Sequence, residues 1–254
     1  MLKYLGLPML ASEDGRHVDN FILYVHYLMG ILFVGWIAYF FYTLFRFRAS
    51  RHPKADYAGA QTHASSYIEI AVAAIEGVLL VGLSIPLWAK FADQFPAESQ
   101  ATHIRVVAQQ FFWNAVYPGK DGTFGKQDFH LVNATNQFGW DYTDPAVRDN
   151  FVGDQNAIVV PEGKPVIASI SSKDVIHSFK VNAFRVTQDA IPGMVIPIWF
   201  KPTTNGIFVI NCAQLCGNSH YFMKGYFHVV PQAKFDEFVA AKSATAGAAA
   251  QSFE

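Results

Sequence analysis

Two cysteines, a histidine and a methionine stand close together in the last fifth of the chain. Cys212, Cys216, His220 and Met223 lie within the run CAQLCGNSHYFM, and the 254-residue sequence has no other cysteine. Thiolate, imidazole and thioether groups together form the soft and borderline ligand set that suits copper. One cysteine would suit a blue-copper site with a single ion, but each of two thiolates can bridge, so the run also permits two coppers that share one electron.

Two simpler uses of the cysteines stay open at this point. Three residues separate Cys212 from Cys216, which permits a disulfide, and disulfides persist in oxidising compartments. A disulfide would leave the regular spacing of His220 and Met223 unexplained. Zinc is the second alternative, but structural zinc sites use cysteine and histidine and rarely a thioether. The residue types therefore favour copper over a disulfide and over another metal.

Composition and hydropathy indicate a membrane protein. Hydrophobic residues make up 52% of the chain and charged residues only 15%, which is apolar for a soluble protein. Residues 21–45 carry no formal charge, and residues 70–88 form a second apolar run that contains Glu76 and Pro86. Since a bilayer core requires roughly 20 apolar helical residues, the runs predict membrane-spanning helices at about 21–45 and 68–90. A buried helix of a soluble core is the alternative for each run.

Charge in the loop between the two runs predicts their orientation. The loop is rich in Arg and Lys, and Asp56 is its only acid before Glu69. By the positive-inside rule this loop is cytoplasmic or on the equivalent side, so both termini face the opposite compartment. The net charge of -1 and the absence of a long basic run give no sign of nucleic-acid binding.

The remainder of the chain has the pattern of a β-domain. After about residue 92, short β-rich runs such as IRVVAQQFFW, MVIPIWF and GIFVINC alternate with turn residues, which predicts an antiparallel sandwich or barrel. Residues 117–155 are polar and rich in turn residues, which predicts long loops. We therefore predict a two-helix transmembrane hairpin over residues 1–92, an all-β domain over 93–240, with a helix at KFDEFVAAK, and a mobile tail over 241–254.

At the cysteine loop the sequence resembles a known family. The spacing from Cys212 to Met223 resembles the binuclear copper loop of cytochrome c oxidase subunit II, and KDVIHSFKV resembles the strand that carries the family's other copper histidine. QDAIPG (188–193) and AQQFFW (108–113) resemble further family segments. With the two apolar runs in front, the resemblance covers nearly the whole chain, and it implies a cupredoxin-like fold for the β-domain.

The resemblance implies two copper ions held by two bridging thiolates, two imidazoles and two weak ligands. In that order the implied ligands are Cys212 and Cys216, His177 and His220, and Met223 with the main-chain carbonyl of Gln214. His177 is chosen by resemblance alone, because spacing does not distinguish it from the other histidines of the β-domain.

The resemblance also implies the function and the partners. Electrons would pass one at a time from a cytochrome c, or a cytochrome c domain, to haem in subunit I, where oxygen is reduced to water. Subunit III is a further implied partner. The implied location is the bacterial plasma membrane or the mitochondrial inner membrane, with both termini and the copper domain on the periplasmic or outer side. Phe111 and Trp113, which are predicted to share one face of a strand, match the position where electrons enter; ordinary aromatic packing is the alternative.

Three positions depart from the family pattern, and the first is Phe111, where the family commonly has tryptophan. The family usually has glutamate where this chain has Gln214, and that side chain helps to hold a magnesium ion at the boundary with subunit I. Since a hard cation prefers charged oxygen ligands, the substitution places the magnesium site in doubt. Lys173 precedes Asp174 where an acid pair is common, so we hypothesise a less basic cytochrome as donor, or one held in a supercomplex.

Two carboxylates belong to the second apolar run. Glu69 and Glu76 are seven positions apart, so they lie on one face of a helix. Counted back from Pro86, Glu69 matches the family glutamate at the mouth of a proton-uptake path into subunit I; an interfacial surface acid is the alternative. Glu76 has no family counterpart, and a hydrogen bond to subunit I is its expected use.

Three other protein classes share parts of this pattern. Subunit II of a quinol oxidase has the hairpin and the sandwich as a structural protein, but typically lacks the copper ligands. A nitrous oxide reductase has a similar copper loop in a longer chain. A membrane-anchored copper-delivery protein would need an open site with fewer ligands. The full ligand set and the two apolar runs favour the oxidase subunit.

Overall fold

A computed structural model gives the conformation of residues 6–55, 57–59 and 61–251, with side chains described as far as residue 246. The chain divides into two compact units. One comprises residues 1–7 and 17–93, and the other comprises residues 8–16 and 94–254. Asp56, in the loop between the apolar runs, and residues 252–254, in the tail, lie outside the described residues.

The first unit is built from two long helices. Helix α1 spans Gly15–Arg46, and a second helix of 29 residues spans Ala64–Ala92. The second consists of α2 (Ala64–Gly77), a π-helical segment (Val78–Ser84) and α3 (Ile85–Ala92). Both are long and apolar enough to cross a membrane. The two predicted spans are confirmed, and each helix extends beyond the predicted bounds at both ends.

The second unit is a β-sandwich of two five-stranded sheets. Their orders are β3-β2-β1-β5-β8 and β4-β10-β9-β6-β7. The strands are β1 (Thr102–Gln109), β2 (Phe112–Tyr117), β3 (Phe151–Val152), β4 (Ala157–Pro161), β5 (Val166–Ser172), β6 (His177–Val181), β7 (Val186–Ala190), β8 (Ile196–Phe200), β9 (Gly206–Cys212) and β10 (Lys224–Val230). The predicted all-β sandwich is therefore confirmed.

Two details of the predicted sheet were wrong. The pairs β1–β5 and β4–β10 are parallel, so the sandwich is mixed rather than antiparallel. The run IRVVAQQFFW is not one strand, because the chain reverses at Gln110 and Phe111 and β2 returns antiparallel to β1. Turn residues do not mark this reversal, so the pattern of alternating apolar residues gave no signal for it.

Aromatic side chains are the largest members of the core between the sheets. Among the largest fully buried side chains are Trp113, Tyr117, Phe179, Phe184 and Phe227. Phe179 contacts Trp113 edge-on at 5.5 Å between ring centroids, and Phe227 contacts Phe184 at 5.3 Å. The high aromatic content of the sequence thus serves a core that holds the strands in fixed register.

A short N-terminal segment belongs to the β-unit, which the sequence did not indicate. The N–H of Ala11 donates to the carbonyl of Ala183 (2.8 Å), and the carbonyl of Ala11 accepts from Thr203 N–H (2.9 Å). Ser12 Oγ donates to the carbonyl of Phe184 at 2.8 Å, and Ala11 is fully buried. Residues 8–16 therefore complete this unit from a distant part of the chain.

The last helix, α4, spans Gln232–Gln251 and is longer than predicted. Its first turns pack on the sandwich, where Phe238 lies 5.4 Å from Tyr117 and 5.6 Å from Phe151 between ring centroids. The sequence after Lys242 is rich in alanine, the strongest helix former, and the helix continues through it. Mobility of the tail over 241–254 stays a prediction.

Candidate metal centre

Three strand ends of one sheet bring the predicted ligands together. β6 begins at His177, β9 ends at Cys212, and the residue before β10 is Met223. β9 pairs with both β6 and β10, so these ends meet at one end of the sheet. A loop leaves β9 and leads into a 3₁₀ turn, His220–Phe222, which returns the chain to β10.

The two cysteine sulfurs form the middle of the cluster. Their Sγ atoms lie 3.8 Å apart, and both cysteines are free thiols. A disulfide requires about 2.05 Å between the sulfurs, so the two are in contact without being bonded. The ligand atoms of His177, Cys212 and Cys216 all lie within 4.8 Å of one another, so these three groups could hold a metal ion.

Each sulfur lies beside one imidazole and one of the two predicted weak ligands. Cys212 Sγ is 3.9 Å from His177 Nδ1, and it donates to the Gln214 carbonyl at 3.1 Å. Cys216 Sγ is 3.6 Å from His220 Nδ1 and 3.7 Å from Met223 Sδ. All six groups singled out in the sequence therefore meet, and they divide into two similar halves around the sulfur pair.

The interior of the cluster is buried. His177 is 0% exposed, Met223 2% and Cys216 4%, whereas Cys212 and His220 are half-buried. Burial, together with the neighbouring Cys212 thiol, raises the pKa of Cys216 to about 12. The thiol is thus neutral in the metal-free chain near neutral pH, and a metal that binds the thiolate must displace its proton.

An aspartate outside the predicted set orients one imidazole. His177 Nε2 is 2.8 Å from Asp174 Oδ1, which leaves Nδ1 on the side of Cys212. Desolvation raises the pKa of Asp174, but hydrogen bonds from Gln110 N–H, from His177 and from Val175 N–H outweigh it and hold that pKa below its usual range. Sequence spacing contained a signal for this contact, because Asp174 stands three positions before His177 on the approach to β6.

Apolar side chains surround the exposed edge of the cluster. Leu215 is 75% exposed, Tyr221 87% and Phe222 66%, and all three belong to the loop and turn that carry the ligands. Val175 and Ile176, directly before His177, are also exposed. Exposed apolar groups gathered around a site often mark a contact with another protein.

The two aromatic residues expected where electrons enter, Phe111 and Trp113, do not lie on one strand as the sequence predicted. Phe111 lies in the turn between β1 and β2 and not on a strand, so it does not share a strand face with Trp113. Trp113 is fully buried and lies edge-on to His177, with 6.2 Å between ring centroids. A docked protein would therefore not contact Trp113 directly, and the electron-entry role of Phe111 and Trp113 stays a prediction.

The side chains at the remaining predicted positions do not belong to the cluster of ligand atoms. Glu69 and Glu76 are both in α2 with exposed side chains. The Gln214 side chain is exposed while its carbonyl faces Cys212. Lys173 Nζ lies 4.0 Å above the Phe138 ring. Weak or absent magnesium binding at Gln214 and proton uptake through Glu69 stay predictions.

Comparison with known proteins identifies the family. A family model described as "Cytochrome C oxidase subunit II, periplasmic domain" matches residues 102–230. The alternative cytochrome c oxidase subunit 2 of Bradyrhizobium diazoefficiens is 30% identical over 239 residues, which covers 94% of this chain and 84% of that protein. The probable cytochrome c oxidase subunit 2 of Rickettsia prowazekii is 31% identical over 237 residues and covers 92% and 70%.

A crystal structure of the periplasmic domain of cytochrome oxidase subunit II from Bradyrhizobium japonicum is 29% identical, with a TM-score of 0.42, and covers 57% of this chain and 94% of that one. The family match spans half of the chain, and the first relative is matched over most of its length. The architecture is accordingly a two-helix transmembrane hairpin followed by a cupredoxin-like sandwich. The chain belongs to the cytochrome c oxidase subunit II family.

Proposed function

We propose that this subunit receives electrons from a cytochrome c at a binuclear copper centre and passes them to haem in subunit I. One observation carries the proposal. Two free thiols, two imidazole Nδ1 atoms, a thioether and a main-chain carbonyl converge within contact distances of 3.1 to 3.9 Å. Two sulfurs in contact, each flanked by one imidazole and one weak donor, are the donor set that suits two coppers.

The six groups of the cluster are chemically suited to hold two copper ions. Cys212 and Cys216 would bridge the two ions as thiolates, and His177 and His220 would each ligate one ion through Nδ1. Met223 and the carbonyl of Gln214 would be the weak ligands. When bound, the copper pair supplies a one-electron carrier whose charge is spread over both ions.

The protein contributes a fixed set of ligand positions. His177 and Cys212 lie on paired strands, and burial of Cys216 and Met223 excludes water from the interior of the cluster. Because the strands and the Asp174 hydrogen bond restrict movement of the ligands, electron gain and loss would require little rearrangement. The zinc and disulfide alternatives do not account for a buried thioether beside the two thiols.

The partners and the location follow from the same proposal. Subunit I would reduce oxygen to water, and subunit III would be a further neighbour in the membrane. A cytochrome c or cytochrome c domain would dock on the exposed apolar side chains around the cluster, which include Leu215 and Tyr221. Asp174 is engaged by His177 and Gln110, and Lys173 lies beside it, which favours a less basic donor or one held in a supercomplex.

Orientation and the second metal complete the proposal. The β-domain and both termini would face the periplasm, or the outer side of the mitochondrial inner membrane, because the loop between the spans is rich in Arg and Lys. Gln214 offers an uncharged side chain where the family has a carboxylate. We therefore expect magnesium to bind weakly or not at all at this boundary.

Rapid mixing of the purified oxidase with reduced cytochrome c tests electron transfer. The wild-type complex should oxidise the donor in a fast first phase, and Cys216→Ser should abolish that phase because one bridging thiolate is lost. Co-purification of the other subunits and unchanged haem spectra would show that the variant complex is assembled. A fast phase of wild-type rate in an assembled Cys216→Ser complex would contradict the proposal.

A further inference from the structure

Gln110 lies beside the candidate centre but supplies none of the proposed ligands. It occupies the reversal between β1 and β2, on a different sheet from the ligand strands. Its main-chain N–H donates to Asp174 Oδ2 at 2.7 Å, and its side-chain Nε2 donates to the carbonyl of Cys216 at 2.6 Å. One residue is therefore hydrogen bonded to both sides of the cluster.

The bond to Cys216 restrains the least regular part of the site. Cys216 lies in the loop after β9, outside the strand ladders, yet its Sγ touches Cys212, His220 and Met223. The carbonyl that Gln110 holds belongs to the same residue as this central sulfur. Movement of that carbonyl would move Cys216 Sγ relative to three other ligand atoms at once.

The next residue of the loop has the backbone that this contact requires. Gly217 has a φ of +140°, a backbone conformation that residues other than glycine rarely adopt. A Cβ placed there would lie 2.9 Å from Gln110 Nε2 and 3.0 Å from the Phe111 ring. The side-chain amide of Gln110 and the ring of Phe111 therefore pack directly against the backbone of Gly217, so both residues of the reversal contact this loop.

The second bond of Gln110 reaches the opposite half of the cluster. Asp174 accepts the Gln110 N–H through Oδ2 and contacts His177 Nε2 through Oδ1. The carboxylate is thereby held at both oxygens, so its position, and with it the direction of His177 Nδ1, depends on the reversal at Gln110. The side chain and the main chain of one residue act on ligands of the two different halves.

We propose that Gln110 is a positioning residue that fixes Cys216, through its side-chain amide, relative to the ligands around it. The inference rests on the proposed copper function, since it assigns a role to this amide in holding that centre. It concerns geometry only, because Gln110 contributes no ligand atom. Its loss should therefore alter the shape and stability of the centre without removing any ligand.

Gln110→Leu in the full-length chain, purified in detergent and loaded with copper, tests the role. Leucine is close in size and uncharged, and its side chain has neither an N–H nor a sulfur that could bind copper, so much of the packing is kept while donation to Cys216 is lost. Electron paramagnetic resonance should show unequal sharing of the unpaired electron between the two coppers. In competition with a chelator, copper should be held about 10-fold less tightly, which is the usual effect on affinity of removing an outer hydrogen bond from a metal site.

Gln232→Leu is the matched control, because Gln232 makes an exposed side-chain hydrogen bond to Asp236 at the start of α4. It should retain the wild-type spectrum and copper retention. If Gln110→Leu does not fold, Gln110→Glu provides the same size with no donor in its ionised form and should show the same altered spectrum. Either variant with wild-type spectrum and copper retention would overturn the inference while leaving the proposed function intact. A wild-type chain that binds no copper pair would overturn both.

Discussion

His177 Nε2 lies 2.8 Å from Asp174 Oδ1, which leaves the other ring nitrogen 3.9 Å from Cys212 Sγ. A carboxylate on one nitrogen of an imidazole selects the tautomer whose free lone pair is on the other nitrogen. His177 is fully buried, so no water competes for Nε2. The ring is therefore oriented toward the sulfur pair before any metal binds.

Removal of the Asp174 carboxylate should weaken the centre. Asp174→Ala leaves Nε2 of buried His177 without its acceptor, and we expect copper to be held about 10-fold less tightly. Asp174→Asn should be milder, because an amide oxygen can still accept from Nε2–H. Titration with a copper chelator measures both variants. Equal retention by wild type and Asp174→Ala would show that the carboxylate does not position the ring.

Alanine at Gly217 should disturb the centre itself. Its Cβ would lie 2.9 to 3.0 Å from Gln110 and Phe111, and its φ of +140° disfavours any side chain. Gly122→Ala is the matched control, since Gly122 also has a positive φ (+72°) but an added Cβ would meet no atom within 4 Å. Both should lower the free energy of unfolding by about 1 kcal/mol or more. Only Gly217→Ala should change the copper spectrum.

Much of the fold followed from local sequence signals. Two long apolar runs predicted the helices, and alternating apolar residues predicted a sandwich. The spacing from Cys212 to Met223 predicted a cluster, because a loop that leaves one strand and returns to its neighbour brings both ends together. The contact between Asp174 and His177 could have been predicted from their spacing of three positions. However, the sequence is equally consistent with a role for Asp174 in docking of the electron donor.

The features that were missed depend on distant contacts. Gln110 approaches Cys216 across 106 positions of sequence, and no periodic pattern encodes such a pairing. The reversal at Gln110 lies between two strands of similar composition, so the sequence pattern is that of one continuous strand. Likewise, Ala11 pairs with Ala183 because of tertiary packing, and the short segment around it, which contains Pro8 and no alternation of apolar residues, gave no strand signal.

Tyr117 offers a test of the fold that is independent of the metal. Its hydroxyl donates to the Val159 carbonyl (3.0 Å) and accepts from Val159 N–H (2.8 Å), which joins β2 to β4. Tyr117→Phe removes both bonds, so the free energy of unfolding should fall by about 1–2 kcal/mol. The copper spectrum should not change. Thermal unfolding followed by circular dichroism measures the loss, and an unchanged melting temperature would contradict this role.

The same residue predicts a pH dependence. Burial raises the pKa of Tyr117 above its usual range, whereas the unfolded value is about 10. Because the folded pKa is higher, the neutral phenol contributes stability that is fully present below about pH 10 and is lost as pH rises toward the folded pKa. Tyr117→Phe should therefore show a shallower alkaline loss of stability than wild type. An identical slope in both proteins would argue against the raised pKa.

Glu69 should affect proton uptake and leave the copper centre unchanged. Glu69→Ala in the assembled oxidase should slow proton-coupled turnover, because a carboxylate at the mouth of the uptake path would be lost. Glu76→Ala, one carboxylate further along the same helix, is the comparison that tests whether position matters. Steady-state oxygen consumption and the copper spectrum are measured together. Unchanged turnover in Glu69→Ala would exclude the assigned role.

Electron paramagnetic resonance on the full-length chain, loaded with copper and partly oxidised, tests the central claim most directly. Two thiolates that bridge two coppers, each with its own imidazole, should give the hyperfine pattern of one unpaired electron shared equally by two copper nuclei. Metal analysis should find two coppers per chain. A single-copper pattern, or no signal with Cys212 and Cys216 joined as a disulfide, would contradict the binuclear centre and the electron-transfer function proposed for this subunit.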